Sequence, residues 1–137
     1  MAKGRFKVIG HTAEVALELA GPDWPAFYEA ASAGLAALYG VVPEPKAVEK
    51  RTIKLEADGP ESLLVAWLNE LIYLVGTKRW GWASVEVKQA SDQYLEAALE
   101  GEALKGVPIR EIKAATFGDL SVRKTKAGLK TLVILDV

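Results

Sequence analysis

Twice along this chain an alternating apolar–polar stretch meets a cluster of Gly, Pro and Asp and emerges with a helical period. That switch restricts the folds available more than any other feature. In Glu14-Val-Ala-Leu-Glu-Leu-Ala20, Val15, Leu17 and Leu19 share one side and Glu14, Ala16 and Glu18 the other, the period of a half-buried strand. Gly21-Pro-Asp23 breaks it. Asp23 can accept from the free N–H groups of a first helical turn, where Pro25 is tolerated. Trp24, Phe27, Tyr28, Ala31, Leu35 and Leu38 then predict a helix over 24–39, ended by Gly40.

The second switch repeats the first. From Glu49 to Ala57 the chain alternates, with Ile53, Leu55 and Ala57 inward and Lys54 and Glu56 outward. Asp58-Gly-Pro-Glu61 offers Asp58 or Gly59 as cap and Pro60 in the first turn. Leu63, Leu64, Trp67, Leu68, Leu71, Ile72, Leu74 and Val75 give a helix over 60–76 with a wide apolar face, expected to be the better buried of the two. Lys78 and Arg79 suit its carbonyl end.

The remaining segments read as strands. Phe6 to Ile9 is a first strand, interrupted by Gly10-His-Thr-Ala13. Val41-Val-Pro-Glu-Pro-Lys46, with two prolines in three residues, reads as an extended linker. Trp82 to Lys88 and Tyr94 to Glu100 form a hairpin through Gln89-Ala-Ser-Asp92, and 101–108 is a loop. Glu111 to Phe117 is a strand, followed by a Gly118-Asp119 turn. Leu120 to Lys124 and Leu129 to Val137 are strands around Lys126-Ala-Gly128. Strands and helices do not alternate regularly. The expected fold class is therefore α+β: a mixed or antiparallel β-sheet of about six to eight strands carrying two amphipathic helices, in a single domain over 1–137.

Composition narrows function by exclusion. With 17 basic and 18 acidic residues the net charge is -1, which argues against a dedicated nucleic-acid binder. The absence of cysteine removes disulfides, zinc–thiolate sites and cysteine nucleophiles. No apolar run has the length of a membrane span and the N-terminal stretch lacks a secretory signal, so the chain is expected to be cytoplasmic. One Met, Asn69 alone, and two Gln point to a thermophilic source.

No glycine-rich dinucleotide or phosphate-loop signature is present. The single histidine, His11, lies in a turn between strands and cannot by itself build a histidine-rich metal site. Any metal would be held mostly by oxygen, which selects a hard cation such as Ca²⁺ or Mg²⁺. The least ordinary carboxylate is Asp136, in Thr131-Leu-Val-Ile-Leu-Asp-Val137. Leu132, Ile134 and Asp136 share one face, so a charge continues an apolar row. The chain terminus at Val137 adds a second anion beside it, an oxygen-rich point with a need for a cation. Glu14 taken alone is a solvated strand residue, Asp119 a turn residue, and Lys113 an outward lysine or one partner of an ion pair.

Taken together, several stretches resemble the archease family. They are His11-Thr-Ala-Glu-Val15 after a first strand, Ala30-Ala31 within an amphipathic helix, and Leu63-Leu-Val-Ala-Trp-Leu-Asn-Glu-Leu71. Gly101-Glu102, Ile112-Lys-Ala-Ala-Thr-Phe117 and the closing Leu132-Val-Ile-Leu-Asp-Val137 complete the set. Their order and spacing cover nearly the whole chain. The resemblance implies a non-catalytic protein cofactor of the GTP-dependent RtcB-type RNA ligase in tRNA splicing. It would promote ligase guanylylation and repeated turnover, touching tRNA only indirectly through the ligase. It also implies a metal site at Glu14, Asp136 and the backbone oxygen of Val137, with Ca²⁺ as the expected ion. Lys113 and Asp136 would act on the partner, and His11 would play a supporting role.

Two positions depart from the family pattern. Glu14 stands where Asp is usual, one methylene longer, a change Ca²⁺ tolerates better than Mg²⁺. Phe117-Gly118 stands where the family has an aromatic residue and a His, so a contact made by that His is absent. Two other functions compete: a chaperone-like specificity modulator of an RNA methyltransferase, and a stand-alone metal-dependent phosphoesterase.

Overall fold

The computed structural model describes residues 3–10, 14–40 and 49–137. His11 and the linker expected at 41–46 lie outside the described residues. The elements run β1 (Arg5–Gly10), β2 (Glu14–Gly21), α1 (Trp24–Tyr39), β3 (Glu49–Glu56), α2 (Pro60–Gly76), β4 (Trp80–Ala90), β5 (Tyr94–Ala103), β6 (Ala114–Thr116), β7 (Arg123–Thr125) and β8 (Gly128–Asp136). Both helices fall where the period switch places them. Asp23 caps α1, its Oδ1 accepting from the Ala26 N–H at 2.9 Å, and Gly40 ends it in the left-handed region at φ 71. Gly59 caps α2 without a side-chain bond.

The strands form two sheets, and every pairing is antiparallel. The larger has the order β1-β2-β8-β6, with β7 also paired to β8. The smaller has the order β3-β5-β4. The helices lie between them. α1 packs on β1, β2 and β8 of one sheet and on β4 of the other, while α2 packs on β6, β3 and β4. The core is therefore the inward rows of both sheets closed on the helices: Leu17, Leu19, Val133 and Leu135 from one, Leu95, Ala97 and Leu99 from the other, around Phe27, Trp67 and Leu68.

Four expectations need adjustment. α2 is not the better buried helix, since each helix buries nine residues. α1 reaches this with Ala30, Ala31, Ser32 and Gly34, which let the sheet approach closely; a Cβ on Gly34 would press on Leu17 and Phe6. Small residues carry little periodic signal, so the face looks narrower in sequence than it is. The strand expected over 111–117 contracts to Ala114–Thr116, because its ladder with β8 ends at the Ala114–Asp136 pair. Lys113 consequently precedes the strand. The strand expected over 120–124 is displaced to Arg123–Thr125 by the turn at Asp119, which holds φ 51. Lys78 and Arg79 lie beyond the last turn of α2, where the Lys78 Nζ sits over the Tyr73 ring at 5.9 Å.

Candidate functional site: the acidic end of the larger sheet

The feature that organises the site is the register of β2, β8 and β6. Pairing β2 with β8 sets Glu14 directly opposite Asp136, and pairing β6 with β8 sets Ala114 opposite the same Asp136. Paired residues of antiparallel strands project to one face with Cβ atoms roughly 5 Å apart. Two carboxylates separated by more than 120 positions in the chain thus become neighbours. Both side chains are exposed, as is Lys113. The Lys113 N–H donates to the Asp136 carbonyl at 2.8 Å, extending the ladder by one bond and fixing the backbone from which the lysine projects.

The row Leu132, Ile134, Asp136 is the outer face of the sheet, not the core face. Leu132 is 44% exposed, whereas Thr131, Val133 and Leu135, which alternate with it, are buried. Asp136 is therefore no anomaly of burial. It is a solvated charge at the end of an exterior row, and its odd feature is the like charge facing it. Like charges directly opposite across a ladder are destabilising, by roughly 0.2–1 kcal/mol on the scale of cross-strand pairs.

Among the described residues no ion pair involves Glu14, Asp136 or Lys113; Lys88 pairs with Glu86 and Lys130 with Glu18 elsewhere. Val137 is half-buried and packs against the core. Among the described residues no group of three His, Cys, Asp or Glu side chains converges; Glu14 and Asp136 are two. The donor set at this end is all oxygen, which suits a hard cation with additional oxygens from water or a bound partner, since Ca²⁺ takes six to eight.

Sequence reasoning missed Asn69. It sits on α2, and its Oδ1 accepts from the Ala115 N–H at 2.8 Å. That N–H is on the edge of β6 away from β8, so Asn69 satisfies the free side of the short strand that follows Lys113. The signal was present: an amide, a poor helix former, follows Trp67-Leu68 in the middle of a helix. Asn69→Ala would leave the Ala115 N–H unpaired and cost about 1–3 kcal/mol. The expected result is a lower urea midpoint, together with faster hydrogen exchange at Ala115 than at residues of β5. The Thr116 hydroxyl adds a bond to the Ile134 carbonyl at 3.3 Å.

These features define a small α+β protein whose candidate site is an exposed, acidic sheet end with a lysine at its margin. The family model described as Archease protein family (MTH1598/TM1083) matches residues 6–137. The chain belongs to the archease family. Its relatives include protein archease of Archaeoglobus fulgidus, 30% identical over 138 residues covering 97% of this chain and 99% of that protein. Protein archease of Methanosarcina barkeri is 29% identical over 143 residues, covering 97% and 96%. The fold matches the crystal structure of a Thermotoga maritima archease described as a possible chaperone, with TM-score 0.71, 24% identity and 96% of each chain covered. It also matches the solution structure of Methanobacterium thermoautotrophicum protein 1598, with TM-score 0.65, 25% identity, and 96% and 98% covered. No helix among the described residues is long and apolar enough to cross a membrane.

Proposed function

We propose that this protein is a non-catalytic accessory protein of an RtcB-type, GTP-dependent RNA ligase acting in tRNA splicing, and that it promotes formation of the ligase–guanylate intermediate and repeated turnover. The observation that carries this reading is the pairing of Glu14 with Asp136 at an exposed sheet end, with Lys113 anchored to the Asp136 backbone, in a chain of the archease family. The acidic end docks at the ligase active site. There Asp136 and Glu14 offer oxygens to a cation or a basic group, and Lys113 offers a positive charge to a phosphate or an acidic side chain. This protein supplies position and charge, which stabilise a transition state when preorganised, and the covalent chemistry belongs to the ligase.

Glu14, Asp136 and the backbone oxygen of Val137 would hold a Ca²⁺ ion. When bound, the ion would neutralise the facing carboxylates and present a positive centre to the partner. Calcium is expected to raise the melting temperature, since a ligand that binds only the folded state stabilises it by about 2.7 kcal/mol at about a hundred times its Kd. Glu14→Ala should abolish that rise, and a wild-type melting curve indifferent to calcium would remove the ion from the proposal.

The test of the function itself is a guanylylation assay. The cognate ligase is incubated with labelled GTP and manganese, with and without this protein, and covalent label on the ligase is followed. Faster labelling and more than one turnover per ligase support the proposal. Equal labelling in both arms sinks it and leaves the methyltransferase reading, which a pull-down of that enzyme would identify.

A further inference from the structure

The outer face of the larger sheet carries a second, oppositely charged end. We infer that the groove along this face binds the phosphodiester backbone of a single RNA strand, so that the protein contacts RNA directly at a site separate from its acidic end. The inference rests on the ligase reading for the choice of polyanion: a partner that joins RNA ends brings RNA strands to this face.

The charge distribution comes from register. Arg5 pairs with Ala20, Ala20 with Lys130, and Lys130 with Arg123, so one transverse row of the sheet reads Arg5, Ala20, Lys130, Arg123. Lys7 lies in the next row, opposite Glu18. All four basic side chains are exposed. Three depressions, of about 640, 530 and 350 Å³, open on this face and share Lys130. Lys3 and Arg5 line the second, and Arg5 and Lys7 the third.

The opposing acids are few. Glu18 holds Lys130 at 3.4 Å with both side chains substantially exposed, a surface pair of at most about 1 kcal/mol that an incoming phosphate can replace. Asp119 lies at the margin of the first depression. The net charge of -1 thus hides a segregation. Lys130 and Asp136 are six residues apart on β8, about 20 Å at about 3.4 Å per residue. That exceeds two Debye lengths of about 8 Å at physiological salt, so the two ends act independently.

Between them the groove floor is Ile9, Leu132 and Ile134, an apolar strip on which bases can lie while phosphates meet the basic row. Among the described residues no aromatic side chain lines the first depression and only Phe6 lines the third, so stacking contributes little and binding is chiefly electrostatic and indifferent to sequence. A protein partner would be expected to meet an apolar centre ringed by mixed polar groups. Here the basic groups form a row to one side of the apolar strip, which matches a linear polyanion.

The experiment is fluorescence anisotropy of labelled oligouridylate titrated with the full-length protein, repeated with Arg5→Ala/Arg123→Ala/Lys130→Ala and with Lys50→Ala on the smaller sheet. Wild type and Lys50→Ala should bind alike. The triple variant should lose about 2 from the magnitude of the log K against log salt slope, three contacts at about 0.7 each. That share of affinity corresponds to about 20-fold between about 50 and about 200 mM salt. Near-UV circular dichroism confirms that the triple variant is folded. Absence of wild-type binding, an unchanged slope in the triple variant, or binding to phosphatidylserine vesicles without binding to RNA would each overturn the inference. The measurement uses no ligase, so its failure is distinct from a failure of guanylylation.

Discussion

Asp136→Ala is expected to abolish stimulation of ligase guanylylation while leaving the fold and its stability intact. The side chain is exposed and joins no ion pair among those between described residues, so its loss removes no packing. The bond that ties Asp136 to the neighbouring segment is a backbone one. The Asp136 carbonyl accepts from the Lys113 N–H at 2.8 Å, and alanine keeps that carbonyl. Removing one of two facing carboxylates also relieves repulsion with Glu14, so stability should stay within about 0.5 kcal/mol or rise slightly. Asp136→Asn separates charge from shape: it keeps volume and one oxygen and should be nearly as defective. Urea unfolding and the guanylylation assay read the two halves of the prediction separately. A variant that is fully folded and fully stimulating would show that the acidic end is not the working surface.

Trp67→Ala is expected to have the largest effect on stability, about 3–5 kcal/mol. Trp67 is fully buried at the middle of α2, and its indole N–H donates to the Tyr28 carbonyl of α1 at 3.1 Å. That bond joins the two helices between the sheets. On the other side of the same residue, the Tyr28 hydroxyl donates to the Ser91 carbonyl in the β4–β5 turn at 3.2 Å, and burial raises its pKa well above the ordinary tyrosine range. Truncating Trp67 opens a cavity between helices that neither sheet can close, because both are held by their ladders. Domains of this size are stable by roughly 5–15 kcal/mol, so the variant should unfold at a much lower urea concentration. Trp67→Phe keeps most of the volume and loses the bond, and should cost clearly less. Equal losses in the two variants would assign the effect to the hydrogen bond and not to the cavity.

Much of the fold is legible in residue order because local rules act there. Asp23 and Gly40 bound α1 as cap chemistry requires, and the alternation in 14–20 places Leu17 and Leu19 in the core. Where the rule is not local, reading stops. Ile112-Lys-Ala-Ala-Thr116 has the composition of a longer strand, yet a strand is only as long as its partner's ladder, and β8 offers Ala114 its last pair. Gly34 and Ala31 look neutral in sequence, yet they set how closely α1 approaches β2. Asn69 was visible as the one Asn, but nothing in its neighbourhood names Ala115 as the group it serves.

The charges follow the same division. Glu14, Lys113 and Asp136 were individually ordinary or odd as sequence, and family resemblance alone linked them. The sheet register makes Glu14 and Asp136 neighbours and gathers Arg5, Arg123 and Lys130 into a row about 20 Å from them. Residue order determined the two helices, the alternating strands and the α+β class, because capping, period and turn chemistry depend on residues a few positions apart. Tertiary structure alone decided which face of β8 meets water and where the two charged ends lie. Those depend on how strands distant in the chain pair, and side chains of one row come from several strands at once.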